Sequence, residues 1–328
     1  MFDVIKINLQ LFADMNTNVT TDSGLSVEMK TFYDMTLIDE AQANLVHDQF
    51  GQKRPIPKNG GKTIEFRKFA SLPKALTALT EGVTPDGKKL SASKIEATVS
   101  QYGDYIVQSD VLELTSLDNT IIEATKILGR QAGLTLDTIT RNVLQSGTNV
   151  FYCPKADGTA VTTRAGLDDT CVLTVDMVNK VVAFLKKNNA PKINGDYVAI
   201  IHPLVAYDLM NDERWIESHK YAQPENLYTG EIGKIGGVRF IESSEAKIYE
   251  NGVFGCLFLA DGAYGITEIT GGGLQTIVKQ KGSAGTADPL DQRSSIGWKA
   301  MKTAEILIQP YLVRVECKTA LKEFVEVN

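Results

Sequence analysis

The sequence predicts an α+β fold. Three observations carry that reading: one long amphipathic stretch from Asp118 to Ser146, a second, shorter one from Thr174, and strand-like runs grouped before and after them.

In chain order, residues 1–27 are mostly polar after Ala13 and read as an arm with an apolar start, Met1 to Ala13. From 28 to 50, Met29, Phe32, Tyr33, Leu37, Ala41 and Leu45 recur near helical spacing, so an arm helix is expected, stopped by Pro55 and Pro57. Lys62 to Phe69 alternates polar with apolar and predicts a strand, and Lys94 to Gln108 predicts a second. Between them, Ala70 to Ser93 is rich in Thr, Lys, Gly and Pro. So long a polar connection inside a compact domain is unusual and points to function. The pair reads as an extended β-hairpin, which as a lone ribbon is marginal in water and needs something to lie on.

In the long stretch, Ile121, Thr125, Leu128, Ala132, Leu136, Ile139 and Val143 form one stripe, with Gly147 as the stop. Gly129 and Gly133 lower helix propensity, so packing must hold it. The second helix presents Val178, Val181, Val182 and Leu185, with Lys186 and Lys187 in its last turn. Then follow a buried strand at Tyr197–Ile201, a short helix at Leu204–Met210, and strands at Val238–Ile241, Val253–Leu259, Ala263–Ile269 and Leu274–Lys279. Lys281 to Gln292 reads as a linker, and Ile306–Gln309 and Leu312–Lys318 as closing strands. Two lobes are expected: 108–195 with 293–328, and an inserted 196–292.

Composition bounds the function classes. A chain of 328 residues with 43% hydrophobic and 23% charged residues is ordinary for a soluble globular protein. A net charge of −6 argues against coating nucleic acid through many phosphate contacts, but not against enclosing it. Cys153, Cys171, Cys256 and Cys317 are scattered, which favours reduced thiols. Asp3, Lys6, Asn8 and Gln10 interrupt the apolar start, so it is not read as a signal peptide. Nothing reaches the about 18 apolar residues of a membrane span, and no membrane partner is expected.

Catalytic patterns are absent. His47, His202 and His219 are too few and too separated for a metal site. His202, at a strand end before Pro203, is the one candidate for a hydrolase base, and no nucleophile can be named for it. No G-x-S-x-G or H-E-x-x-H motif occurs. Gly230-x-x-Gly233-x-x-Gly236-Gly237 lacks a Gly-Lys-Ser/Thr ending and reads as turns. The carboxylate pairs Asp168-Asp169, Asp212-Glu213 and Asp288 with Asp291 lack a calcium loop's ligand count. No cofactor or metal is expected. Lys53, Arg54, Lys58 and Lys62, and Lys88, Lys89 and Lys94, form small basic clusters at the base and tip of the hairpin. They serve either as edge protection or as charge partners for a neighbouring subunit.

Asn8-Leu-Gln-Leu-Phe-Ala13, Gly230–Ser243 and Asp288–Trp298, with the order of parts along the whole chain, resemble the major capsid proteins of tailed double-stranded-DNA bacteriophages, which share the Hong-Kong-97-like fold. The resemblance implies an N-terminal arm at 1–50 and an extended loop at 51–107. It also implies a peripheral lobe with a spine helix at 108–195, an axial lobe at 196–292 and returning strands at 293–328. It implies hexamers and pentamers forming an icosahedral shell around double-stranded DNA without sequence-specific binding. A separate scaffolding protein and a portal would take part, since no long charged N-terminal coiled coil stands out here. The setting implied is a virion capsid assembled in the host cytoplasm. No cross-linking pair can be assigned. Candidate inter-subunit contacts are Lys62, Arg67, Lys88, Lys89, Lys94, Arg293 and Trp298. The alternatives are an encapsulin-type compartment shell, a hydrolase using His202, and a tail or adhesion protein using the β-rich 230–280.

Overall fold

The computed structural model describes residues 35–41, 45–69, 72–79, 81–84, 86–116, 120–222, 233–283 and 288–325. The expected arm segment 1–34, including Asn8–Ala13, lies outside them, as do Gly230 and His219's side chain.

The described elements run α1 (35–41), β1 (Gln52–Lys53), β2 (Thr63–Phe69), β3 (Ala92–Thr98), β4 (Ser100–Ser109), α2 (Asp110–Thr115) and α3 (Thr120–Gln145). Next come β5 (Val150–Tyr152), α4 (Val175–Lys187), β6 (Tyr197–Ile201), α5 (Pro203–Met210), α6 (Glu213–Ala222), β7 (Lys234–Ile235), β8 (Val238–Glu242) and β9 (Ile248–Tyr249). The chain continues through β10 (Val253–Leu259), β11 (Tyr264–Glu268), β12 (Gln275–Lys279), β13 (Arg293–Ile306) and β14 (Leu312–Cys317).

The stripe of α3 buries Leu128, Ala132 and Leu136 against Ile296, Trp298 and Ala300 of β13 on one side and Leu37 and Ala41 of α1 on the other. Its two glycines make that second contact. A Cβ at Gly129 would stand 2.8 Å from the Leu37 carbonyl oxygen, and one at Gly133 2.4 Å from that of Ala41. Backbone therefore lies on backbone, and packing offsets the lost helix propensity of about 1 kcal/mol per glycine.

β13 organises a five-stranded sheet. Its 293–302 stretch pairs antiparallel with β4, from Arg293↔Ser109 to Lys302↔Ser100. On its opposite edge Ser295–Lys299 pairs with β12 and Lys302–Ile306 with β11. β1 adds in parallel beyond β11. This strand lies upstream of the expected Ile306–Gln309: it runs from Arg293 and ends at Ile306, and Gln309 begins a 3-10 turn. Its inward positions include Ala300, Lys302 and Ala304, which blur the period-two signal.

The seven-stranded sheet has the order β5-β14-β10-β6-β8-β7, with β9 on β10. β6 and β10 are buried at every position. α4 closes one face of it through Val178, Val181, Val182 and Leu185, joined by Val205 and Leu209 of α5. Thr174 caps α4, and Gly236 and Gly237, both at positive φ, turn β7 into β8.

Strand pairing redraws the expected lobes. β5 and β14, assigned to the first lobe, lie in the seven-stranded sheet, where β14 pairs with β5 on one side and β10 on the other. β11 and β12, assigned to the second, pair with β13. The boundaries at 196 and 292 therefore follow neither sheet. The expected strand Lys94–Gln108 also divides at Val99: β3 pairs with β2, whereas β4 joins β13.

Candidate subunit-contact surfaces

The hairpin of β2 and β3 is anchored at its base. β1 pairs with β11, and the Arg54 and Ile56 amides donate to the carbonyls of Ile266 (3.0 Å) and Glu268 (2.8 Å). Phe66 is 4% exposed, under the Arg54 guanidinium at 5.8 Å from the ring centroid. A Cβ on Gly265 would meet the Phe66 ring at 2.8 Å, so only glycine lets β2 sit this close to β11.

Beyond the paired residues the chain is irregular, and its apolar side chains face outward. Leu72 is 53% exposed, Leu76 85%, Leu79 76% and Leu90 66%. These large aliphatic groups leave apolar surface unburied along one segment.

The basic candidates divide into two kinds. Lys94 donates to Glu65 (3.2 Å) and Glu96 (2.5 Å), carboxylates that face each other directly across the ladder. Hydrogen bonds to Glu96 and Glu65 raise the Lys94 pKa. Its charge serves first to separate two like charges within the hairpin. Arg67 approaches Glu65 at 4.0 Å. Lys62, Lys88 and Lys89 are exposed. Arg293, also exposed, lies 3.7 Å from Asp288. Trp298 is a correction: it is 4% exposed, packs in the α3–β13 core and donates its indole N–H to Gln131 Oε1 at 3.2 Å. An aromatic ring committed to its own core offers no face to another subunit.

Two polar networks, one buried and one part-buried, went unread in the sequence. In the first, His47 Nδ1 lies 2.6 Å from Asp137 Oδ2, the His47 backbone N–H donates to Asp137 Oδ1 (2.7 Å), and both residues are 0% exposed. The Tyr264 hydroxyl donates to the His47 carbonyl. Beside it, Asp48 accepts from Thr140 (2.6 Å) and pairs with Lys302, whose ammonium also donates to the Leu136 carbonyl (2.9 Å). Burial pushes the Lys302 pKa down against the pull of Asp48, and burial pushes that of Tyr264 up. Residues 45–50, expected as part of an arm, are thereby fastened to α3, β11 and β13.

In the second, Arg164 forks onto Glu316 at 2.7 and 2.5 Å and covers the Tyr249 ring at 3.6 Å. Tyr249 donates to Gln145 (2.9 Å), which donates to the Gly255 carbonyl (2.7 Å). This ties the C-terminal end of α3 to the seven-stranded sheet. Neither network has a local sequence signature, because its members lie on elements far apart in the chain.

His202 spends its ring on structure. Nδ1 accepts the Leu204 N–H (3.2 Å) as the cap of α5, the ring tilts onto Phe254 at 5.0 Å, and burial lowers its pKa. All four cysteines are buried, with Cys256 and Cys317 sulfurs 3.8 Å apart. Among the described residues no cluster of three or more His, Cys, Asp or Glu could hold a metal ion, and no helix is long and apolar enough to cross a membrane.

Comparison with known proteins supplies the context for these surfaces. A family model described as phage capsid protein matches residues 92–307. Among solved structures, the capsid of the cyanophage Pam1 is similar at 14% identity and a TM-score of 0.67, over 86% of this chain and 93% of that one. The capsid of the cyanophage P-SCSP1u is similar at 14% identity and a TM-score of 0.66, over 83% and 87%. The SrpI encapsulin of Synechococcus elongatus is similar at 12% identity and a TM-score of 0.53, over 88% and 90%. No curated protein sequence matches.

Proposed function

The chain belongs to the phage capsid protein family, and on that premise we propose that its copies form the hexamers and pentamers of an icosahedral head around double-stranded DNA, with the β2–β3 hairpin lying across an adjacent copy. The Hong-Kong-97-like fold and the family make it a structural shell protein of the virion rather than an enzyme.

The observation that carries the hairpin assignment is the contrast within that hairpin. Phe66 fixes its base, whereas Leu72, Leu76 and Leu79 stay in solvent. Apolar side chains on a fixed support suit a surface supplied by a second copy. Lys62, Arg67, Lys88, Lys89 and Lys94 would set register there as exposed charges. The net charge of −6 suits a wall that encloses DNA without gripping it. Assembly in the host cytoplasm, with a separate scaffolding protein and a portal, completes the proposal.

The likeness to an encapsulin supports a cargo compartment as the second reading. The test is co-expression with the neighbouring scaffold gene, followed by sedimentation and negative-stain imaging. Closed shells, or rings of five and six, are expected. A folded chain lacking residues 70–93 is expected to remain unassembled, and normal shells from that deletion would sink the hairpin assignment. Particles that hold a cargo enzyme in place of DNA would favour the second reading.

A further inference from the structure

β4 is an edge strand, and its geometry shows which backbone groups it leaves unpaired. Among the described residues it pairs only with β13. The Asp110 amide donates to the Gln292 carbonyl at 2.9 Å, one residue beyond the Arg293↔Ser109 pair, so Ser109 and every second residue before it form the narrow, non-hydrogen-bonded pairs of this antiparallel ladder. Gln101, Gly103, Tyr105 and Val107 share that phase, so their N–H and C=O groups point away from β13. The Tyr105 amide confirms it by turning to its own Asp104 carboxylate at 2.8 Å. Tyr105 is 69% exposed and Val107 49%. An open edge carrying apolar side chains is a template for another strand.

The sequence holds a segment that fits. Ile5, Ile7, Leu9 and Leu11 alternate with Lys6, Asn8 and Gln10, a period-two pattern over the same seven-residue span as Gln101 to Val107. Residues 5–11 lie outside the described residues and enter by sequence alone. A single alternating strand has no stable sheet of its own. Laid along β4 in matching phase, it sets its apolar side chains beside Tyr105 and Val107. Its polar ones, Lys6 included, fall on the side where Asp104 accepts from Gln131 at 2.6 Å. Residues 12–34 separate this segment from α1, an extended reach of about 76 Å at about 3.3 Å per residue.

We propose that residues 5–11 add to the free edge of β4 as a further strand, making this edge the docking site of the apolar N-terminal segment. The test is amide hydrogen exchange at Gly103 and Val107 in the full chain and in a chain lacking residues 1–13. Exchange in the full chain is expected to be slower by tenfold or more; equal rates overturn the proposal. Val107→Pro provides the second measurement, because proline at this position removes one outward N–H and leaves the bonds to β13 intact. It is expected to speed proteolytic removal of residues 1–13 several-fold, and unchanged removal overturns the proposal. Neither readout needs a closed shell, so failure of the assembly reading, seen by sedimentation, stays separate from failure of this one.

Discussion

Residues 45–50 and the connection of the hairpin reverse the usual placement of polar and apolar groups. At 45–50, His47 and Asp48 are held against Asp137, Thr140 and Lys302 in the interior. In the connection, Leu72, Leu76, Leu79 and Leu90 face solvent. Apart from His47 Nε2, the buried side-chain polar atoms of this cluster find hydrogen-bond partners, so they fix one geometry and penalise any other. Exposed apolar groups fix nothing within the chain and favour burial elsewhere. The first region holds the support rigid. The second leaves apolar side chains in solvent on that support.

The comparison breaks most visibly at Asp137. Asp137→Ala leaves the His47 amide and ring without their acceptor in a site closed to water, so a loss of about 3–5 kcal/mol is expected. Denaturant unfolding with an unchanged m-value measures it. A loss below about 1 kcal/mol would mean that Val46 and Phe50, which pack on the neighbouring core, hold the segment without the polar clamp.

A smaller effect is expected from pH. Burial lowers the Lys302 pKa from its ordinary 10.5. The folded chain therefore releases this proton at a lower pH than the unfolded chain. Between the two values the unfolded state binds more protons, so stability rises with pH. Tyr264 opposes this only above its ordinary 10.0, because its pKa is raised and only the unfolded tyrosine ionises there. The rise is thus expected between the lowered Lys302 value and about pH 10, and Lys302→Met should flatten it. A wild-type curve already flat over that window would show that the ammonium is not desolvated as the clamp geometry requires.

How much of this was legible in the sequence follows from the range of each pattern. The stripe of α3, the helix α4 and the apolar runs of β6 and β10 are local periodicities, and they emerged as expected. β13 did not, because Lys302 occupies an inward position where the pattern calls for an apolar residue, and its reason is Asp48, far away in the chain. The division at Val99 is set by which strand each half meets, and no residue type there announces a change of sheet. Trp298 stands among the inter-subunit candidates in the sequence, yet its indole finds Gln131 on α3. The networks at His47 and Glu316 were invisible for the same reason: each joins elements that only the fold brings together.

The smallest effect on stability is expected where the consequence for assembly is large. Leu76 is 85% exposed, so Leu76→Ser removes almost no buried surface, and the unfolding free energy should change by less than about 0.5 kcal/mol. If the hairpin connection acts by burying its leucines against another copy, the same substitution should lower particle yield in co-expression and leave the isolated chain folded. A change confined to stability would place the leucine in the chain's own core. A change in neither would remove the connection from the contact surface and leave its anchored base, around Phe66 and Arg54, as the part of the hairpin that matters.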